Sequence, residues 1–184
     1  IGTSKQLLYF TENHALIHYY DFTFKDKSTA EKQGSHINCI YKDQKNDLWV
    51  GTNLDGLYYL IKGSKEFQKC RFSGQAYDVP HSIYQIYEDS RQMMWICTWP
   101  YGIYQRKPDD RPKNLFYQDS IKPVLDYAVI NNIMEDSKGN LWLSSWGSGL
   151  FLQMDSNRGT YIFKNFSVTD TTSYCISSDI VHAA

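Results

Sequence analysis

The sequence contains no long apolar run. Nothing in it approaches the roughly 20 consecutive apolar residues that a membrane-crossing helix needs. Clustered basic charge is also missing. The formal net charge is -1, and no stripe of Lys and Arg supplies the electrostatic footprint of a nucleic-acid binder. There is no signal peptide, and the chain begins at Ile1. That beginning reads as a segment of something longer, so a missing leader does not exclude export. Cysteines are few: Cys39, Cys70, Cys97 and Cys175. None stands in a C-x-x-C pair, which argues against a zinc site. Cys39 and Cys97 fall inside strand-like runs, so free, buried thiols are expected rather than disulfides. His14, His18, His36, His81 and His182 show no metal-ligand spacing. No cofactor is implied.

Aromatic residues, by contrast, are plentiful: 15 Tyr, 9 Phe and 5 Trp. Such side chains suit pleated, half-buried surfaces and lean the reading towards strands. Internal repetition decides the fold class. Three segments, 40–58, 86–104 and 133–151, align without gaps. They share an Asp column (Asp43, Asp89, Asp136), a Trp column (Trp49, Trp95, Trp142) and a Gly column (Gly56, Gly102, Gly149). Each column steps by 46 and then by 47 residues. Fragments of the unit flank the three copies. Gly2-Thr3 and Leu7 to Phe10 match Gly51-Thr52 and Gly56 to Tyr59, and Ile180 to Ala183 sits where Ile130 opens the third copy.

One unit reads as four short strands. In the third copy these are predicted over 127–134, 141–145, 149–153 and 161–166, with the turn Glu135 to Asn140 after the first. The Asp of that turn can accept backbone N–H bonds two residues on, and its Gly tolerates positive φ. Four short strands in an antiparallel meander, repeated at this period, make a β-propeller blade. The predicted fold is therefore all-β, a β-propeller fragment of about four blades. Its parts are a partial blade over 1–30 (third and fourth strands), blades over 31–76, 77–122 and 123–170, and the first strand of a further blade over 171–184. The Trp column is expected to fill the space between blades. The Asp column is expected to do turn chemistry rather than catalysis.

The stretch Ile130 to Leu150, with its Glu-Asp-x-x-Gly-Asn-Leu-Trp-Leu-Ser-Ser core, resembles the two-component regulator propeller repeat. Trp49-Val-Gly-Thr52 matches the usual end of the second strand. Gly51 gives way to Cys97 and Ser144 in the other copies, and the turn Gly139 to Asn46 and Gln92, which marks a diverged array. The resemblance implies the periplasmic sensor region of a hybrid two-component protein whose other parts include a histidine kinase. It also implies an oligosaccharide ligand released from a glycan, further blades of the same longer chain, and a homodimer of the full-length protein.

Ligand-contacting residues are expected on the face that carries the second-to-third connections and the inter-blade loops, by analogy with other propellers. The candidates are Asn53, Asp55, Trp99, Tyr101 and Trp146 in the connections, and Asp78, His81 and Asp126 in the inter-blade loops. Exposed rings beside carboxylates and amides suit a sugar, which stacks its apolar face and needs paired donors and acceptors. Packing is the competing role for Trp99 and Trp146. No carboxylates are marked as a pair of the kind a glycosidase needs, and Arg71, Arg91, Arg106, Arg111 and Arg158 fall on turns and outer strands. No catalytic residue is assigned. The alternatives are a propeller enzyme acting on glycans, a glycosidase or lyase, and a purely structural or dimerising propeller.

Overall fold

The computed structural model describes residues 36–72, 82–99, 102–107, 128–154, 162–171 and 175–182, together with the backbone of 6–10, 17–21 and 113–114. Every regular element among them is a strand, and no helix is long and apolar enough to cross a membrane. The hairpin β1 (Gln6–Phe10) and β2 (Ile17–Asp21) comes first. Three four-stranded antiparallel meanders follow. The first is β3 (Ile37–Lys42), β4 (Leu48–Thr52), β5 (Leu57–Leu60) and β6 (Gln68–Lys69). The second is β7 (Ser82–Glu88), β8 (Met94–Trp99), β9 (Gly102–Arg106) and β10 (Lys113–Asn114). The third is β11 (Val129–Glu135), β12 (Leu141–Trp146), β13 (Leu150–Met154) and β14 (Ile162–Phe166). The strands predicted for the third copy lie within two residues of those observed.

The sheets stack through their first strands. β7 packs on β3 and β4, and β11 packs on β7, β8 and β9. Strand alternation divides each sheet between two neighbours. On β8, Met94 and Ile96 join Trp49 and Leu57 of the first meander in one core. Trp95 and Cys97, from the same strand, join Ile130, Leu141, Leu143 and Phe151 of the third meander in another. The chain is thus a β-propeller array, with its cores between blades rather than within them. Trp49 and Trp95 fill those cores as expected, at 2% and 0% exposed, whereas Trp142, on the outer face of the third meander, is only half-buried and joins neither core.

The Asp and Trp columns, read separately in the sequence, are joined. The indole Nε1–H of Trp49, Trp95 and Trp142 donates to Oδ2 of Asp43, Asp89 and Asp136, at 2.9, 3.1 and 3.0 Å. The other oxygen of each Asp accepts turn N–H groups: Asp47 for Asp43, Arg91 and Met93 for Asp89, Lys138 and Asn140 for Asp136. One carboxylate therefore closes the turn and orients the ring that the next blade packs on. The turn needs a left-handed residue, which Gly139 supplies at φ 81° and Asn46 and Gln92 at 65° and 63°.

A second contact column runs between blades. Glu88 Oε2 accepts the N–H of Gln44, and Glu135 accepts both the N–H and the hydroxyl of Ser90. The equivalent residue of the first meander is Lys42. No cysteine is cross-linked. Cys70 and Cys97 are buried, as expected of small hydrophobes, but Cys39 is only half-buried and Cys175 is exposed. Burial pushes the Cys39 thiol up to about 12, and raises Cys97 as well.

Candidate functional site

The second-to-third connections are built by a hydroxyl column. Oγ1 of Thr52 and Thr98 and Oγ of Ser145 donate to the carbonyls of Gly56, Gly102 and Gly149, at 2.9, 2.7 and 2.8 Å. Thr52 Oγ1 and Ser145 Oγ each also accept a loop N–H, from Asp55 and Ser148. The residue after each hydroxyl is therefore held at the sheet end, opposite the start of its blade's first strand. Asn53 exchanges two bonds with His36 there. Trp99 pairs with Ser82, and Trp146 with Val129. The two tryptophans are 49% and 50% exposed. They are not a further buried column.

Every first strand carries a register shift at the same place: between Ile37 and Cys39, Ile83 and Gln85, and Ile130 and Asn132. A bulge of this kind re-aims the extra side chain. Here it aims across to the following blade. Asn38 Nδ2 donates to the Ile83 carbonyl at 3.1 Å, and Asn131 Nδ2 donates to the Val181 carbonyl at 3.1 Å. Val181, one residue beyond Ile180, thus takes the role of Ile83. Tyr84 stands on the middle bulge and sends its ring to within 5.8 Å of Trp146. The sequence reading missed this contact. Its only trace in the sequence is an aromatic where the sister copies carry Asn38 and Asn131.

The tail closes over the same end. Ile180 forms an isolated bridge with Trp146, and Val181 N–H donates to the Ser145 carbonyl. The Asp179 carbonyl accepts N–H bonds from Gly147 and Gly149, and His182 meets the Trp146 ring edge-on at 6.4 Å. Trp146 is therefore walled by Tyr84 and His182 and open above. Among the described residues of the tail, strand pairing is limited to that one bridge.

The other candidates are less uniform. Asp55 is 7% exposed and turned inward. Its oxygens accept the Tyr58 hydroxyl and a 2.6 Å ion pair from Lys69, so it shapes the loop instead of presenting a carboxylate to a ligand. Asn53 is tied to His36, its side-chain oxygen accepting the His36 N–H. Tyr101, Asp78, His81 and Asp126 lie outside the described residues. Among the described residues there is no cluster of three His, Cys, Asp or Glu suited to a metal ion.

Residues 32–54 and 125–147 match the two component regulator propeller family. No curated protein matches the chain by sequence. Among solved structures, it is similar to the extracellular domain of BT4673 from B. thetaiotaomicron, described as a hybrid two component system. That likeness has 18% identity and a TM-score of 0.67, and covers 97% of this chain and 22% of that one. It is also similar to PorZ, a bacterial surface component of the type-IX secretion system of Porphyromonas gingivalis, with 14% identity and a TM-score of 0.63 over 93% of this chain and 25% of that one. A luciferin-regenerating enzyme shares the fold at a TM-score of 0.57 and 12% identity, covering 89% of this chain and 57% of that one. The repeat array spans about a quarter or less of BT4673 and PorZ. At these identities the likeness is one of fold, and the fold occurs in a two component system, a secretion-system surface component and an enzyme alike.

Proposed function

We propose that this chain is a non-catalytic, ligand-sensing part of the periplasmic region of a hybrid two-component signalling protein. Its ligand is an oligosaccharide derived from a glycan. The observation that carries the reading is the contrast between two kinds of tryptophan. Trp95 is sealed between blades, while Trp99 and Trp146 stand half-exposed at equivalent strand ends. A half-exposed ring on a rigid strand end is a stacking platform for a pyranose face, set at little entropic cost. The repeat family and the fold shared with an extracellular domain of a signalling protein support the same reading.

The remaining blades of a longer chain complete the ring in this proposal. The outer face of the third meander supports it: Met134, Met154 and Ile162 are exposed there, and Trp142 is only half-buried. The full-length protein is a homodimer, with output through its histidine kinase.

Calorimetry against a panel of glycan oligosaccharides tests the proposal. Binding without turnover, weakened about tenfold by Trp146→Ala through loss of one stacking partner, is expected. Product formation in the same samples overturns the sensor reading in favour of a glycosidase or lyase. Self-association with neither heat nor product favours a structural propeller.

A further inference from the structure

The opposite face of the array carries a cleft of its own. It opens between the Asp43 turn of the first meander and the Asp89 turn of the second, with a volume of about 240 Å³. Gln44, Lys45, Glu88, Gln92 and Arg106 line it along with Asp43. The acidic groups are already engaged. Asp43 holds Trp49 and the Asp47 N–H, and Glu88 holds the Gln44 N–H.

Arg106 differs. Its guanidinium lies over the Trp49 ring, 4.6 Å from the centroid. Among the described residues no carboxylate lies within ion-pair distance of it. A guanidinium seated on an indole face keeps its N–H edge for a ligand, and that planar fork matches a carboxylate through two parallel bonds.

A second feature is independent of the first. Gln92 holds φ at 63°, where the third copy uses Gly139 at 81°. A non-glycine residue there costs about 1 kcal/mol. The turn requires that conformation, and at this copy its residue lines the cleft, where the Gln92 amide can donate and accept.

We infer that this cleft is a second ligand site, which takes a small hydroxylated carboxylate on the Arg106 fork with the Gln44 and Gln92 amides reading its hydroxyls. The volume suits a single sugar-acid ring rather than a chain. Asp43 and Glu88 balance Lys45 and Arg106, so the contact depends on the geometry of the fork rather than on bulk attraction.

Calorimetry with glucuronate as the probe, and glucose as a neutral control of similar size, tests the site on the 184-residue protein. Glucuronate is expected to bind at millimolar concentrations and glucose is not. Arg106→Gln is expected to weaken glucuronate about tenfold or more, the worth of a charge-assisted contact. Glucuronate should also shift the Trp49 indole N–H resonance while leaving that of Trp146 in place. Gln92→Gly guards against misreading a folding defect, because it relieves the backbone and should raise the melting temperature while weakening glucuronate. Absence of glucuronate binding, equal binding of glucose, or unchanged affinity in both variants overturns the inference.

Discussion

Tyr84, on the bulge of β7, meets Trp146, at the end of β12, with ring centroids 5.8 Å apart. The two residues belong to different blades, 62 positions apart in the chain. A bulge that turns one side chain out of the pleat makes the contact possible. Half of Trp146 remains open to solvent. This contrast with the buried column leads to the first prediction. Trp146→Ala should cost about 1–2 kcal/mol, the worth of a half-buried ring with an aromatic neighbour. Trp95→Ala should cost about 3–5 kcal/mol, because it empties the core between the second and third meanders. Equal losses in denaturant titrations would remove the distinction between platform and core.

Asp89 is fully buried and serves four donors at once: the Trp95 indole, the N–H groups of Arg91 and Met93, and the Arg91 guanidinium. Asp89→Ala strands a buried indole N–H and should destabilise by about 1–3 kcal/mol. Asp89→Asn keeps one oxygen acceptor and should fall between that variant and wild type. Thermal melts of the three proteins give the ranking.

Asp136 makes the same clasp in a more open setting. Hydrogen bonds from the Asn140 side chain first, and then from the Trp142 indole, hold its carboxyl well below the usual carboxylate range. The folded state thus loses this proton more readily than the unfolded state, whose value is near 4. The stability it contributes is present above about pH 4 and disappears as the pH falls through the folded value. The melting-temperature gap between wild type and Asp136→Asn should be constant near neutrality and narrow below about pH 4. A gap independent of pH would contradict the clasp.

Gly147 and Gly149 both sit at positive φ, 93° and 82°. They differ in the room around them. An added Cβ at Gly147 meets nothing within 4 Å, whereas at Gly149 it would lie 2.1 Å from the Phe166 carbonyl oxygen. Gly147→Ala should therefore cost only the backbone term, about 1 kcal/mol. Gly149→Ala must also push β13 from β14, and should cost about 3 kcal/mol or more. Comparable melting temperatures for the two variants would show that the sheet yields at that point.

Glu135 bonds the Ser90 N–H at 2.8 Å and its hydroxyl at 2.6 Å, across the joint between the second and third meanders. The contact is solvent-exposed, so its contribution is modest. A double-mutant cycle of Ser90→Ala and Glu135→Ala should return a coupling of about 0.5–1 kcal/mol. A coupling of zero would make the contact incidental.

The sequence by itself determined the repeat, the strand order within a blade and the inward fate of Trp49 and Trp95. These follow from period-2 alternation and turn chemistry, which are local and recur every 46 or 47 residues. The turn role of the Asp column was legible for the same reason. Tertiary structure alone decided what each column touches. The indole that Asp136 orients lies six residues away, but its direction depends on the turn that the carboxylate closes. The partner of Tyr84 lies in another blade, and no local pattern encodes a contact created by a bulge. The same applies to the candidate site. Trp99 and Trp146 could be placed on a connection from spacing, whereas their exposure depends on which neighbours cover them. Asp55 looked like a loop carboxylate in the sequence. Only the folded hairpin brings Tyr58 and Lys69 onto it, because burying a carboxylate requires partners that arrive from separate strands.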